Sequence, residues 1–201
     1  MTHTEVTFLS KAPGRSLFEL TNPYVVNKLD VITSPQYKLQ SYTGYCLLGK
    51  IMSEVYCLDL NKLKIGENER GKPYFVDVEI NFSISHSNDA VLCTVSKSCI
   101  GADIEKIGNI REKILKSFSP LEQEQVKSPK DFYTLWTLKE SFAKLTGNGL
   151  SDVRNAEFEL KPRITCTTSD IKGLYFKSFE IYDYVISIST TDTIADPIII
   201  V

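Results

Sequence analysis

The stretch from Trp136 to Leu150 constrains this chain most, because it has the pattern of an amphipathic helix with a defined end. At about 100° per residue, one face is apolar and is expected to face a core; it carries Leu135, Leu138, Phe142 and Leu145. The opposite face carries Trp136, Glu140, Ala143 and Lys144. Gly147-Asn148-Gly149 supplies a stop signal. We therefore predict a helix from about Asp131 to Thr146.

Glu140 and Lys144, taken alone, fit an ordinary exposed ion pair between helical neighbours. The segment Ile100–Glu105 changes this interpretation, since it follows an apolar strand and alternates charged with apolar residues. The strand period of two places Asp103 and Glu105 on one face, roughly 6–7 Å apart. Two such carboxylates can bind Mg²⁺. The alternative is an edge strand with a charged outer face.

A small polar cluster ends the strand pattern that begins at Ile80. Ser85 and His86, downstream of Gly71-Lys72-Pro73, could offer hydroxyl, imidazole and backbone N–H groups to an anion. The alternative is a turn in which the hydroxyls satisfy local backbone groups. Hydrolysis by a Ser–His pair is disfavoured, because neither a nucleophile elbow nor a third triad member is evident.

Five motifs occur in a characteristic order within the stretch from about Leu47 to Leu160. They are Gly71-Lys72-Pro73, Phe82–Ser87, Ile100–Glu105, Phe118–Glu122 and Trp136–Leu150. In this order they resemble the 4′-phosphopantetheinyl transferase superfamily, and within it the larger, surfactin-synthetase-activating (Sfp-type) class.

The resemblance implies an α+β fold of two similar α/β subdomains related by a pseudo-twofold axis. Each would hold a small, mainly antiparallel sheet with a packed long helix, and the active site would lie in the cleft between them. We expect a coenzyme A-binding half at 1–98 and a metal-binding half at 99–201, divided where two strands meet.

The resemblance also implies the reaction, which is transfer of the phosphopantetheine arm of coenzyme A to a serine of an apo carrier protein, with release of adenosine 3′,5′-bisphosphate. The implied ligands of Mg²⁺, or of Mn²⁺ in its place, are Asp103, Glu105 and Glu140. Glu140 and Lys144 would be catalytic, with Glu140 as general base directly or through a water on the metal. The implied coenzyme A contacts are Lys72, Pro73, Ser85, His86, Lys139 and Lys144, of which Lys139 either reaches the phosphates or flanks the site.

One departure from the family pattern concerns the first long helix. Tyr45 stands where family members usually carry an arginine, and the upstream region has few basic residues. Lys38 or Lys50 could compensate, although a lysine is a point charge without the bidentate fork of arginine. We therefore expect weaker coenzyme A affinity. The alternatives are a catalytically weakened coenzyme A-binding homologue and a magnesium-dependent phosphohydrolase.

Composition indicates a soluble globular protein with one large domain or two small ones. The chain has 201 residues, 42% hydrophobic and 24% charged, with a net charge of −2, which argues against a general nucleic-acid binder. The five cysteines lack metal-site spacing and fit reduced thiols in the cytoplasm. No membrane-spanning or signal segment is evident, and we expect a monomer.

The carrier protein is the expected macromolecular partner, with no role for nucleic acid or membrane. Carrier helices in these families tend to be acidic, and the segment Ile110–Phe118 offers Arg111, Lys113 and Lys116 beside apolar neighbours. We expect this segment to contact the carrier.

The remaining patterns predict a helix within Tyr37–Leu60 and a turn at Gly66–Gly71. Ser119-Pro120-Leu121-Glu122 has the form of a capped helix start, in which Glu122 can close a capping box. The predicted strands are Glu5–Leu9, Pro73–Val76, Ile80–Ser85, Ala90–Ser96, Cys99–Glu105, Ala156–Lys161, Leu174–Ile181, Tyr184–Thr190 and Ile198–Val201.

Overall fold

The structure, a computed structural model, describes residues 1–9 and 19–200. In this part of the chain the helices are α1 (Pro23–Asp30), α2 (Pro35–Tyr56), α3 (Glu112–Leu115), α4 (Pro120–Gln125), α5 (Pro129–Thr146) and α6 (Leu150–Asn155). The strands are β1 (His3–Phe8), β2 (Ile65–Glu67), β3 (Pro73–Phe75), β4 (Asn81–Ser87), β5 (Ala90–Ser96), β6 (Ile100–Lys106), β7 (Phe158–Glu159), β8 (Thr165–Cys166), β9 (Tyr175–Ile181), β10 (Tyr184–Thr190) and β11 (Ile198–Ile200). The predicted α+β class with small, mainly antiparallel sheets is confirmed.

The first sheet has the strand order β11-β1-β5-β4. Its pairs are antiparallel except β1 with β11, which run parallel with Glu5 opposite Ile198. Helix α2 begins where Ser34 caps it and Pro35 occupies the first turn. Its apolar side packs on β4 and β5 in a core that includes Leu48, Ile51, Phe82 and Val91.

The second sheet has the antiparallel order β6-β10-β9, with Ile104 opposite Ile186. Helix α5 covers one face of it. Ser128 caps the start of α5, and Gly147 ends it with φ at 77°, a conformation that glycine adopts without strain. The predicted apolar face of α5 is buried at Leu135, Leu138, Phe142 and Leu145.

Gly101 allows α5 to lie very close to β6. A Cβ atom at Gly101 would be 2.0 Å from the Ser141 carbonyl oxygen and 2.3 Å from the Leu145 nitrogen. Two hydroxyl pairs tie the helix to β10 at 2.7 Å each, Thr137 with Ser187 and Ser141 with Ser189. The strand that carries the predicted carboxylates is therefore held directly against the helix that carries Glu140.

The two sheets meet along β4 and β6 through serine hydroxyls. Ser83 Oγ donates to the Ala102 carbonyl at 3.3 Å and accepts from its N–H at 3.0 Å. Ser85 and Ser87 donate to the carboxylates of Asp103 and Glu105. Successive serines at a period of two thus face β6 and bridge the sheets with side chains.

The core also crosses the boundary at residue 98. One cluster combines Val6 and Leu92 from the first sheet with Ala102 and Ile188 from the second. Strand β11 also returns to pair with β1. The subdomain division remains a prediction. These contacts show that residues 1–98 and 99–200 pack against each other in one core.

Most predicted elements are present with shifted ends. Strands Ala90–Ser96 and Tyr184–Thr190 agree at both ends, and the predicted turn lies at Asn68–Gly71 within a β2–β3 hairpin. Helices α1, α3 and α6 and strands β2 and β8 were not predicted. Val201, the predicted end of the last strand, lies outside the described residues. None of the described helices is long and apolar enough to cross a membrane.

Candidate active site

The two carboxylates of β6 lie on the face that meets α5. Asp103 Oδ1 accepts hydrogen bonds from Ser85 Oγ at 2.6 Å and from Lys144 Nζ at 2.7 Å. Lys144 Nζ also donates to Ser85 Oγ at 2.8 Å. Strand β4, strand β6 and helix α5 therefore each contribute one residue to a single buried polar cluster.

Glu105 has a separate set of partners two residues along the strand. It accepts from Ser87 Oγ at 3.0 Å and from Trp136 Nε1 at 3.3 Å. The Arg111 guanidinium forms an ion pair with it at 3.2 Å. Trp136 thus contacts the carboxylate strand from α5.

Glu140, on α5, lies beside the two carboxylates of β6. Burial raises the pKa of Glu140, and the negative charges of Asp103 and Glu105 raise it further, while Lys144 acts in the opposite direction. The structure thus places mutually repelling carboxylates around this position.

A cavity of about 350 Å³ opens next to these residues, a volume within the range of small-molecule sites. Its lining combines the first half of the chain with α5, and comprises Lys28, Ser41, Tyr45, Arg70, Gly71, Lys72, Pro73, Phe82, Ser83, Ile84, His86, Glu140, Ala143, Lys144, Gly147 and Gly149. The lining residues include several cations and a single carboxylate, so the cavity favours an anionic ligand.

His86 and Lys72 are both affected by burial in this cavity wall. Burial lowers the pKa of His86, and the cation of Lys144 lowers it further. Burial likewise lowers the pKa of Lys72, whose Nζ donates to the Leu145 carbonyl at 2.9 Å. An anionic ligand would offset the cost of keeping both groups charged here.

Tyr45 is buried, and both Tyr45 and Lys28 line the cavity, where the charge of Lys28 acts on Tyr45. Lys28 Nζ donates to Tyr24 Oη at 2.9 Å and to Glu67 at 2.7 Å. Lys50 instead pairs with Glu5 at 2.6 Å, and neither Lys50 nor Lys38 is among the lining residues. Lys28, which lines the cavity, is therefore better placed than Lys38 or Lys50 to compensate for the missing arginine.

Lys139 does not face the cavity, and the prediction that it binds the cofactor is corrected. Its side chain is 2% exposed and pairs at 2.9 Å with Glu122, whose side chain is fully buried. Lys139 Nζ also donates to the Ala156 carbonyl. Glu122 closes the predicted capping box with Ser119 and accepts from the Phe158 N–H as well. This pair joins α5 to α4 and β7.

The other predicted site residues are brought together. Asp103, Glu105 and Glu140 converge from β6 and α5, and Lys72, Pro73, His86 and Lys144 line the cavity. Ser85 contacts both Asp103 and Lys144.

The donor chemistry at Asp103, Glu105 and Glu140 fits Mg²⁺, which takes carboxylate oxygens. The repulsion that raises the pKa of Glu140 would be relieved by a cation. However, no three or more His, Cys, Asp or Glu side chains among the described residues are already arranged to bind a metal ion. Lys144 forms an ion pair with one oxygen of Asp103, and Arg111 forms an ion pair with Glu105.

Residues 99–189 match the family model of the 4′-phosphopantetheinyl transferase superfamily. The resemblance predicted from the motifs is confirmed. The matched segment contains β6 and α5, the two elements that carry Asp103, Glu105 and Glu140.

Known phosphopantetheinyl transferases are similar over a comparable region. The chain is 37% identical to 4′-phosphopantetheinyl transferase gsp of Aneurinibacillus migulanus, over 55% of this chain and 49% of that protein. It is 40% identical to a 4′-phosphopantetheinyl transferase of Bacillus subtilis, over 54% and 52%. The human L-aminoadipate-semialdehyde dehydrogenase-phosphopantetheinyl transferase is 33% identical, over 59% and 46%.

The chain thus spans about half the length of the curated relatives that it matches. The residues matched by the family model hold three of the five motifs, Ile100–Glu105, Phe118–Glu122 and Trp136–Leu150. It supports the Sfp-type class within the phosphopantetheinyl transferase superfamily.

The sequence analysis did not assign several residues at the site. Ser87 lies inside the Phe82–Ser87 motif, and Arg70 directly precedes Gly71-Lys72-Pro73, so each had a local signal. Arg111 was assigned to the carrier surface, whereas its guanidinium contacts Glu105. Lys28 had no signal, because it comes from a helix that was not predicted.

Proposed function

We propose that this protein transfers the 4′-phosphopantetheine arm of coenzyme A to a serine hydroxyl of an apo acyl, peptidyl or aryl carrier protein. The observation that carries the proposal is the cationic cavity, which lies directly beside the three carboxylates of β6 and α5. The similarity to phosphopantetheinyl transferases supports the same chemistry.

In this reaction the carrier serine oxygen forms a bond to the phosphorus that bears pantetheine. The bond between that phosphorus and the bridging pyrophosphate oxygen breaks, and adenosine 3′,5′-bisphosphate leaves with the electron pair. Glu140 would accept the serine proton, directly or through a water molecule. Lys144 would offset the negative charge that develops on the pyrophosphate oxygens.

The cavity wall would hold the rest of coenzyme A. We assign Lys72 and Pro73 to the adenine end, and Ser85 and His86 to phosphate groups. Lys28 and Arg70 add cationic donors to the same lining. These assignments use the excess of cations in the lining, which suits the several negative charges of coenzyme A.

Mg²⁺ would be held by Asp103, Glu105 and Glu140, and when bound it supplies positive charge to the pyrophosphate. Ser85 and Ser87 would orient the two strand carboxylates, since their hydroxyls donate to Asp103 and Glu105. Trp136 fixes Glu105 from the opposite side.

The deciding experiment is intact mass spectrometry of an apo carrier protein after incubation with this protein, coenzyme A and Mg²⁺. We expect a mass gain of one phosphopantetheine that depends on Mg²⁺ and is lost in Glu140→Ala. A Lys172→Ala variant serves as a control, because Lys172 is exposed and outside the cavity. Absence of a mass gain with several types of carrier would contradict the proposal.

We also propose that Ile110–Phe118 contacts the carrier. Lys113 and Lys116 are exposed on this segment, close to Glu105 through the neighbouring Arg111. Reversing both charges to Glu should raise the Michaelis constant for an acidic carrier. Reversing Lys62 and Lys172 makes the same change in net charge elsewhere, and equal effects of the two pairs would contradict this contact.

We further propose that the protein works as a monomer in the cytoplasm, without nucleic acid or membrane as partner. Within the described part of the chain, no disulfide is formed by Cys57, Cys93, Cys99 or Cys166, which suits a reducing compartment. Light scattering of the protein without carrier measures its molar mass and so tests the proposed monomeric state.

A further inference from the structure

The turn between β2 and β3 reaches across to the C-terminal end of α5. Lys72 Nζ donates to the Leu145 carbonyl at 2.9 Å, and Asn68 Nδ2 donates to the Gly147 carbonyl at 3.3 Å. The Arg70 guanidinium donates to the Asn148 carbonyl. The last carbonyls of a helix have no intrahelical partner, so these side chains from the first half cap a helix of the second.

Asn68 is at the centre of this contact. Its Oδ1 accepts from the backbone N–H groups of Arg70 at 3.0 Å and Lys72 at 2.9 Å. Its own backbone closes the turn, since its carbonyl accepts from Gly71 N–H at 2.9 Å and its N–H donates to the Lys72 carbonyl at 3.0 Å. One side chain therefore fixes the shape of the turn with its oxygen and the attachment to α5 with its nitrogen.

The packing at Gly147 shows how close this attachment is. A Cβ atom at Gly147 would lie 2.7 Å from Asn68 Nδ2 and 3.3 Å from Lys72 Cδ. Gly147 and Lys72 both line the cavity, and Lys144 lies within the last turn of the same helix. A shift of the turn would therefore move the Lys72 side chain and separate the two sides of the cavity.

We propose that Asn68 is a positioning residue that clamps the Gly71-Lys72-Pro73 loop to the end of α5 and thereby places Lys72 for an anionic ligand. The ligand is coenzyme A, and this part of the inference rests on the proposed function. Asn68 acts through Lys72 and Gly147, and is not itself among the residues that line the cavity.

The first test measures ligand binding by calorimetry without Mg²⁺, with coenzyme A and with inorganic pyrophosphate as probes. We expect Asn68→Ala to weaken coenzyme A binding about tenfold and to raise its Michaelis constant similarly, with little change in the Michaelis constant for the carrier. Asn68→Ser should recover part of the loss, because a hydroxyl supports such turns more weakly. Asn155→Ala, on an exposed position of α6, is the matched control.

The second test needs no ligand. Amide hydrogen exchange should accelerate in Asn68→Ala at Arg70, Lys72 and the last turn of α5, and remain at the wild-type rate in Asn155→Ala. Unchanged exchange would overturn the clamp. Faster exchange with unchanged coenzyme A affinity would overturn the positioning role and leave a structural contact. If wild-type protein binds neither probe, the proposed function fails, and the exchange data decide the clamp separately.

Discussion

Gly101 shows how one missing side chain sets the geometry of the site. The backbone of α5 occupies the space that a Cβ atom would need, since Ser141 O and Leu145 N lie 2.0 and 2.3 Å from that position. Backbone atoms cannot rotate away as a flexible side chain can. The distance between the carboxylates of β6 and Glu140 on α5 therefore depends on this glycine.

We predict that Gly101→Ala destabilises the protein by about 1–3 kcal/mol or more, because the helix must shift away from the strand. The proposed transferase activity per folded molecule should also fall, since the shift separates Glu140 from Asp103. Urea unfolding and activity assays measure the two effects. Gly108→Ala is the control, because its Cβ would meet only Tyr133 Oη at an acceptable 3.4 Å.

A second residue-scale prediction concerns pH. Burial and Lys144 hold the pKa of His86 below its ordinary value, so the free imidazole is neutral near pH 7. A bound phosphate would favour the protonated form and raise that pKa. Binding then takes up a proton. Coenzyme A affinity should rise as the pH falls through the pKa of His86 in the complex, and it should level off below the pKa of His86 in the free protein.

Calorimetry over a pH series, compared between wild type and His86→Gln, measures this effect. The comparison is needed because phosphate groups themselves titrate near pH ~6. The variant should lack the extra proton uptake of the wild type. Identical pH profiles in the two proteins would show that His86 does not meet the phosphate.

The sequence could predict which face of α5 carries the chemistry, because helical periodicity depends on neighbouring residues alone. It could not predict the position of Lys139, which lies between the two faces of the helix. The partner that decides its position is Glu122, a residue from another helix that tertiary packing brings to 2.9 Å. Residues at the border of a helical face are thus the ones for which sequence reasoning is least informative.

At the scale of elements, buried polar contacts join helices and strands in addition to their apolar packing. Glu122 accepts from Ser119, Phe158 and Lys139, and so connects the start of α4, strand β7 and helix α5. The serines of β4 connect the two sheets in a similar way. The alternating pattern predicted β4 as a strand. The neighbouring residues did not indicate that its serine hydroxyls, in place of backbone hydrogen bonds, would connect β4 to β6.

We predict that Lys139→Met costs about 3–5 kcal/mol of stability, because it leaves the buried Glu122 carboxylate without its cation. Adding Glu122→Gln should restore much of the loss, since the amide is neutral and its oxygen can still accept from backbone N–H groups. Chemical denaturation of both variants and the wild type measures this recovery. Coenzyme A affinity should stay at the wild-type value in each folded variant, and a selective loss would restore Lys139 to the binding site.

At the scale of the whole molecule, the two predicted halves share their interior. Val6, Leu92, Ala102 and Ile188 belong to one buried cluster, and burial of such residues is the main favourable term in folding. Composition and spacing predicted strands on both sides of residue 98. They could not show that these strands pack on each other, because long-range contacts leave no periodic signal.

We therefore predict that fragments 1–98 and 99–201 do not fold independently, while the intact chain unfolds in a single transition. Each fragment would expose its side of the shared cluster, and the first would also lack β11. Circular dichroism and NMR of the separate fragments measure this. Cooperative unfolding of either fragment alone would instead support two autonomous subdomains.

The parallel pairing of β1 with β11 has a consequence for synthesis on the ribosome. His3–Phe8 leaves the ribosome long before its parallel neighbour Ile198–Ile200 is translated. During the intervening elongation, one edge of the nascent sheet presents unpaired N–H and carbonyl groups, which are a template for aggregation. Chaperone demand during translation should therefore exceed what the stability of the finished protein would suggest.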